Sequence, residues 1–122
     1  MMALGHKVNA AGIPALAVLS LSQDVAEGLT AAGTNQATAY AMTAADNEFT
    51  TVAAGTGAVL YAGSPGDEQL VFNAGANALK VYPPSGSKIN ALPTDQAVLI
   101  PKNTACTFKC LTTTRWVGVL SA

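Results

Sequence analysis

Few residues in this chain are equipped for chemistry. It holds one histidine, His6, two cysteines, Cys106 and Cys110, and seven carboxylates: Asp24, Glu27, Asp46, Glu48, Asp67, Glu68 and Asp95. Catalysis needs such groups to converge. His6 stands close to the terminus, where chains are often poorly ordered, and has no second histidine with which to share a metal. It reads as a solvated or neighbour-packed side chain. Cys106 and Cys110 lie four residues apart in Thr104-Ala105-Cys106-Thr107-Phe108-Lys109-Cys110-Leu111-Thr112. On a strand they share one face at about 13 Å along it. A disulfide needs Cα atoms within about 7 Å. The two are therefore expected as buried thiols of a reducing cytosol, not paired with each other. Their spacing matches no zinc-ligand pattern either.

The carboxylates add little. Asp67 and Glu68 are adjacent, so a strand would point them to opposite faces, whereas Asp46 and Glu48 share a face. A glycosidase pair needs a cleft and a set separation, and neither is written in the spacing. Ala44-Ala45-Asp46-Asn47-Glu48 has too few alternating oxygen ligands for a calcium loop. Gly55-Thr56-Gly57 and Gly63-Ser64-Pro65-Gly66 have no Lys-Ser/Thr behind them, so they read as turns and not as phosphate cradles. Trp116, Tyr40, Tyr61, Tyr82 and three Phe are scattered about one per strand, which fits core or interface anchors better than a sugar platform. The expectation is a protein that is not an enzyme, with no catalytic residue, no cofactor and no metal site.

The elements that hold these residues read as a ladder of short strands. The candidates are 37–42, 48–53, 58–62, 69–73, 79–82, 88–92, 97–100, 105–111 and 115–120, separated by Gly, Pro, Asn, Asp and Ser. Apolar residues alternate around Gln69–Phe72, Leu79–Tyr82 and Arg115–Leu120, with Lys80 turned outward. Asn73-Ala74-Gly75-Ala76-Asn77 is expected to be a hairpin loop between two of these runs. Strands every 8–12 residues or so indicate an all-β fold, a small antiparallel β-sandwich or barrel of jelly-roll type. No repeat of solenoid period and no dividing linker is read in the chain. Residues 34–122 are expected to form the β domain. Residues 1–33 are expected to be an N-terminal arm, extended or with a short helix over Leu21–Leu29. Its apolar residues Val8, Ile13, Leu16, Val18, Leu19 and Leu21 would be interface residues, packed on the body or on a neighbouring subunit. The run Ile13–Leu21 is faintly signal-like, but it carries Pro14 and Ser20 behind a thin basic region, and is expected to be retained.

Composition then bears on partners. Half of the 122 residues are apolar and 11% are charged, against about 25% in a typical domain. A folded monomer of this size exposes roughly 6,100 Å², which leaves about one charge per 470 Å². Interfaces are depleted in charge, so much of this surface is expected to face other protein. The net charge of −1 gives no electrostatic footprint for nucleic acid or an anionic membrane. No uncharged run is apolar enough for a membrane helix.

One succession of segments is distinctive: Thr50-Thr51-Val52-Ala53-Ala54-Gly55-Thr56-Gly57, Gly66-Asp67-Glu68, Val71–Gly86 with its Asn-Ala-Gly-Ala-Asn-Ala and Tyr-Pro-Pro-Ser-Gly runs, Ile89–Leu92, and Arg115–Ala122. Over about residues 34–122 it resembles small virion structural proteins of tailed bacteriophages, of the capsid cement or decoration type. The resemblance implies a compact β domain that trimerises on the phage head after assembly in the host cytoplasm. Its partners would be sister copies and the major capsid protein. Tail, fibre and spike-associated domains share the style, and a host-surface carbohydrate-binding module is a third alternative. No binding residue transfers from the resemblance.

Overall fold

The structure is a computed structural model and describes residues 24–121. All its regular elements are strands: β1 (Val25–Thr30), β2 (Tyr40–Ala41), β3 (Asp46–Thr51), β4 (Gly57–Val59), β5 (Glu68–Asn73), β6 (Leu79–Tyr82), β7 (Lys88–Ile89), β8 (Val98–Ile100), β9 (Thr104–Thr112) and β10 (Arg115–Leu120). The all-β expectation holds, and each of the nine expected windows overlaps a strand. Two sheets result, one in the order β1-β3-β5-β9-β10-β7 and one in the order β2-β4-β6-β8. Residues from both sheets line one core, including Phe49, Val71, Phe108 and Trp116 from the first and Ala58, Leu79, Val81 and Ile100 from the second. The period of two does the sorting. In β9, Cys106, Phe108 and Cys110 point inward and Thr107, Lys109 and Leu111 outward.

The strand order corrects the antiparallel, jelly-roll expectation. From β1 to β6 the chain alternates between the two sheets, and each strand pairs in parallel with the one a full turn later. Val25 pairs with Asp46 and Asp46 with Leu70, while Tyr40 pairs with Ala58 and Ala58 with Val81. This is a β-solenoid-like stack. Antiparallel strand pairs come in the second half, where β9 joins β5 and β10, and β8 joins β6, after a single antiparallel bridge between Ala32 and Gly57. A jelly roll pairs its strands antiparallel throughout. The expectation of no solenoid period is corrected with it. Tyr40, Tyr61 and Tyr82 recur every 21 residues, and Ala31-Ala32-Gly33 returns as Ala53-Ala54-Gly55 after 22.

Two local expectations change for identifiable reasons. Asn73–Asn77 is not a hairpin loop but the corner by which the chain leaves one sheet for the other. The buried Asn73 side chain donates to the carbonyls of Asn77 (2.8 Å) and Ile100 (2.9 Å) and accepts from the Gly75 N–H (2.9 Å). Asn77 Nδ2 donates to the Val52 carbonyl at 2.8 Å, which ties this corner to the preceding one. These amides supply the bonds that the backbone loses on leaving the ladder. The other change is in the arm. Val25–Thr30, expected as part of a helix or an extended arm, is a strand of the stack. Gly28 has φ +71°, unsuited to a right-handed helix, and the register shifts between Ala26 and Leu29. The shift turns Leu29 onto the core.

Candidate functional site

A hollow of about 480 Å³ opens beside Thr34, Gln36, Lys80, Tyr82, Asp95 and Leu99. Three segments meet there. Gln36 Nε2 donates to the Pro83 carbonyl (2.7 Å) and to Asp95 Oδ1 (3.1 Å). The same Asp95 oxygen accepts the Gly86 N–H at 2.7 Å, and the Tyr82 hydroxyl donates to the Thr34 carbonyl at 3.3 Å. Asp95 sits at φ +65°, which asparagine and aspartate tolerate best after glycine. Its polar side chains are thus spent on binding loops to one another. Lys80, Asp95 and Tyr82 are the ionisable residues of its lining, and none is a nucleophile held against a base.

A smaller hollow of about 220 Å³ lies on the outer face of the six-stranded sheet, bounded by Asp46, Glu68, Leu70 and Thr107. Asp46 and Glu48 share that face of β3, as their spacing requires. Glu68 pairs with Lys109 at 3.6 Å, both half-exposed, in the one ion pair among the described residues. Asp67 precedes β5 and accepts the Ser64 N–H at 2.8 Å. Burial, followed by the nearby carboxylates Asp67, Asp24 and Asp46, pushes the Tyr61 hydroxyl above its usual value. Among the described residues no three His, Cys, Asp or Glu side chains are grouped to hold a metal ion.

Both thiols are free and buried, in line with the expectation. Burial pushes Cys106 up to about 11, and Cys110 moves in the same direction for the same reason. A thiol held protonated is a poor nucleophile. Trp116 has no exposed surface. Its Nε1 is buried without a hydrogen-bond partner, and it is not available to stack on a sugar.

The outer face of the same sheet also carries apolar side chains among these polar ones. Leu70 on β5 pairs with Thr107 on β9, which pairs with Val119 on β10. Phe72 pairs with Ala105 beside them, and Val117 lies two residues from Val119 on the same side. Val119 is 65% exposed, while Leu70, Phe72 and Val117 are half-buried. These residues were not among the expected interface positions. Their signal was legible in Leu70-Val71-Phe72 and in Val117 and Val119 around an inward Trp116: apolar residues on both parities of a strand mean that both faces are apolar. The interface positions expected from the sequence, Val8, Ile13, Leu16, Val18, Leu19 and Leu21, lie outside the described residues, as does His6.

Compared with protein-family models, curated proteins and solved structures, the chain matches none.

Proposed function

We propose that this chain is a bacteriophage capsid cement protein, which binds the outside of the head as an oligomer, bridges capsomers and stabilises the shell. The observation that carries the reading is the outer face of the six-stranded sheet. Leu70, Phe72, Ala105, Val117 and Val119 lie in an apolar band that Thr107 and the Glu68–Lys109 ion pair interrupt and that Asp46 and Glu48 of β3 flank. A chain with 11% charged residues has few ions with which to solvate such a band, and large apolar patches on small proteins mark interaction sites. In this reading the two sheets are the faces of one compact sandwich, and a trimer of such units covers its apolar bands at local three-fold positions. Shell stabilisation follows by mass action, because the cement binds the assembled, expanded lattice and not free subunits. The resemblance of residues 34–122 to virion structural proteins supports the same reading.

The parallel stack supports a second reading, a tail, fibre or spike-associated domain, since rungs added along one axis suit an elongated part. Against the carbohydrate-binding alternative stands the burial of Trp116. The deciding experiment adds purified protein to expanded heads and to tails of the phage that encodes it. Cement binds heads at near-stoichiometric copy number and raises their disruption temperature. Binding to tails alone overturns it in favour of the second reading, and binding to neither overturns both.

A further inference from the structure

We infer that the outer face of the six-stranded sheet binds a second copy of this chain, with Asp46 and Glu48 of one copy set against Lys88 and Arg115 of the other. Parity puts all four side chains on that face. Asp46 and Glu48 alternate with the inward Asn47 and Phe49 on β3. Lys88 precedes the buried Ile89 on β7, and Arg115 precedes the buried Trp116 on β10. Arg115 and Lys88 are register partners, so the two cations stand side by side. The sheet order β1-β3-β5-β9-β10-β7 then separates the charges by sign. The carboxylates lie on the β3 side, with the exposed Glu27 on the neighbouring β1, and the cations lie on the β10 and β7 side. Leu70 and Phe72 on β5 and Ala105 on β9 stand between them.

Within one copy the two groups cannot neutralise each other. β3 and β10 are three strand spacings apart, which is about 14 Å at about 4.8 Å each. Physiological salt screens exposed charges beyond about 8 Å. Glu68 and Lys109, in the middle, take each other at 3.6 Å as the one ion pair among the described residues. A face that is acidic on one side, apolar across the middle and basic on the other is complementary to itself, once a second copy is turned to bring its acidic side to the basic side of the first. A partner of one sign would be repelled at one side or the other. The chain has six lysines and arginines, and three of them, Lys88, Lys109 and Arg115, stand on this face. The arrangement serves the proposed trimer as well as a dimer, because each copy offers one side of each sign. The inference rests on the reading of this face as a contact surface, and it adds the occupant and its orientation.

Sedimentation of the full chain without heads tests it. Reversing the acidic side, Asp46→Lys with Glu48→Lys, is expected to weaken self-association about tenfold or more, and so is reversing the basic side, Lys88→Glu with Arg115→Glu. Combining all four substitutions restores opposite signs across the contact and is expected to return association to within about threefold of the parent. Lys80→Glu with Lys102→Glu makes the same change in net charge as the basic-side reversal, away from this face, and is expected to leave association unchanged. A combined variant as weak as either reversal overturns the inference, as does a control as weak as the basic-side reversal or a parent that stays a single subunit at high concentration. The parent itself, taken from about 50 to about 500 mM salt, is expected to associate more weakly as the charges are screened. That measurement needs no substitution and holds if a variant does not fold; association indifferent to salt overturns the inference. Added expanded heads separate the two proposals. Heads that bind a parent whose association ignores the reversals leave the capsid reading standing without this contact, and copies that pair as described but bind no heads leave the contact standing without the capsid.

Discussion

Asn73 holds the corner between β5 and β6 with three hydrogen bonds and has no exposed surface. Truncation leaves the Ile100 and Asn77 carbonyls and the Gly75 N–H to find other partners in a dry site. Asn73→Ala is expected to lower stability by about 2–4 kcal/mol, read as a fall in the urea midpoint with an unchanged slope. The asparagine was visible in the sequence only as a turn former, because composition does not show whether an amide faces water or the core. The thiols were more legible, since Cys106, Phe108 and Cys110 share one parity of a nine-residue strand. Burial holds Cys106 protonated up to about 11, against an ordinary value of 9.0. Its contribution to stability is therefore complete below pH 9 and is lost as pH rises toward 11, because the unfolded chain gives up the proton first. At pH 8 the native thiol is expected to react with iodoacetamide about a hundredfold more slowly than the unfolded one, from ionisation alone. Mass spectrometry of the alkylated protein with and without denaturant checks this.

At the scale of the element, turn glycines separate those the coil requires from those it tolerates. Gly33 has φ +70°, and a Cβ there would collide with the Thr38 carbonyl. Gly55 has φ +81° with open space around it. Gly33→Ala is expected to destabilise by about 2–3 kcal/mol, from strain and collision together, and Gly55→Ala by about 1 kcal/mol, from strain alone. Thermal unfolding of the two variants ranks them, and equal losses would show that the Thr38 contact yields. This distinction bears on what the sequence could reveal. Alternation in Gln69–Phe72, Leu79–Tyr82 and Arg115–Leu120 exposed the strands themselves. It could not expose their direction, because a period of two is the same in parallel and antiparallel sheets. Corner chemistry at Asn73–Asn77 uses the residues of a hairpin, so the coil resembled a meander. Only the long spacing of Tyr40, Tyr61 and Tyr82 separates the two. The β9–β10 hairpin, in contrast, turns through Thr113 and Thr114 without a glycine, and gave no strong turn signal at all.

For the whole molecule, the question is what lies against the outer face of the six-stranded sheet. Val117 and Val119 are on that face while their neighbour Trp116 fills the core. Substitution there separates folding from assembly. Val119→Lys is expected to change monomer stability by less than about 0.5 kcal/mol, because an exposed side chain outside the core makes few contacts to lose. In an oligomer that buries the face, the same change removes about 1.5–3 kcal/mol of apolar burial per copy and places an unpaired charge in the contact. Association is then expected to weaken by a hundredfold or more, with the variant sedimenting as a monomer at concentrations where the parent is expected to form the proposed trimer. Lys102→Ala, at an exposed residue in the loop before β9, serves as the control and should leave sedimentation unchanged. If Val119→Lys assembles as the parent does, this face is not the contact between copies. If it also binds expanded heads as the parent does, the face is not the contact with the shell, and the capsid reading loses the surface on which it rests.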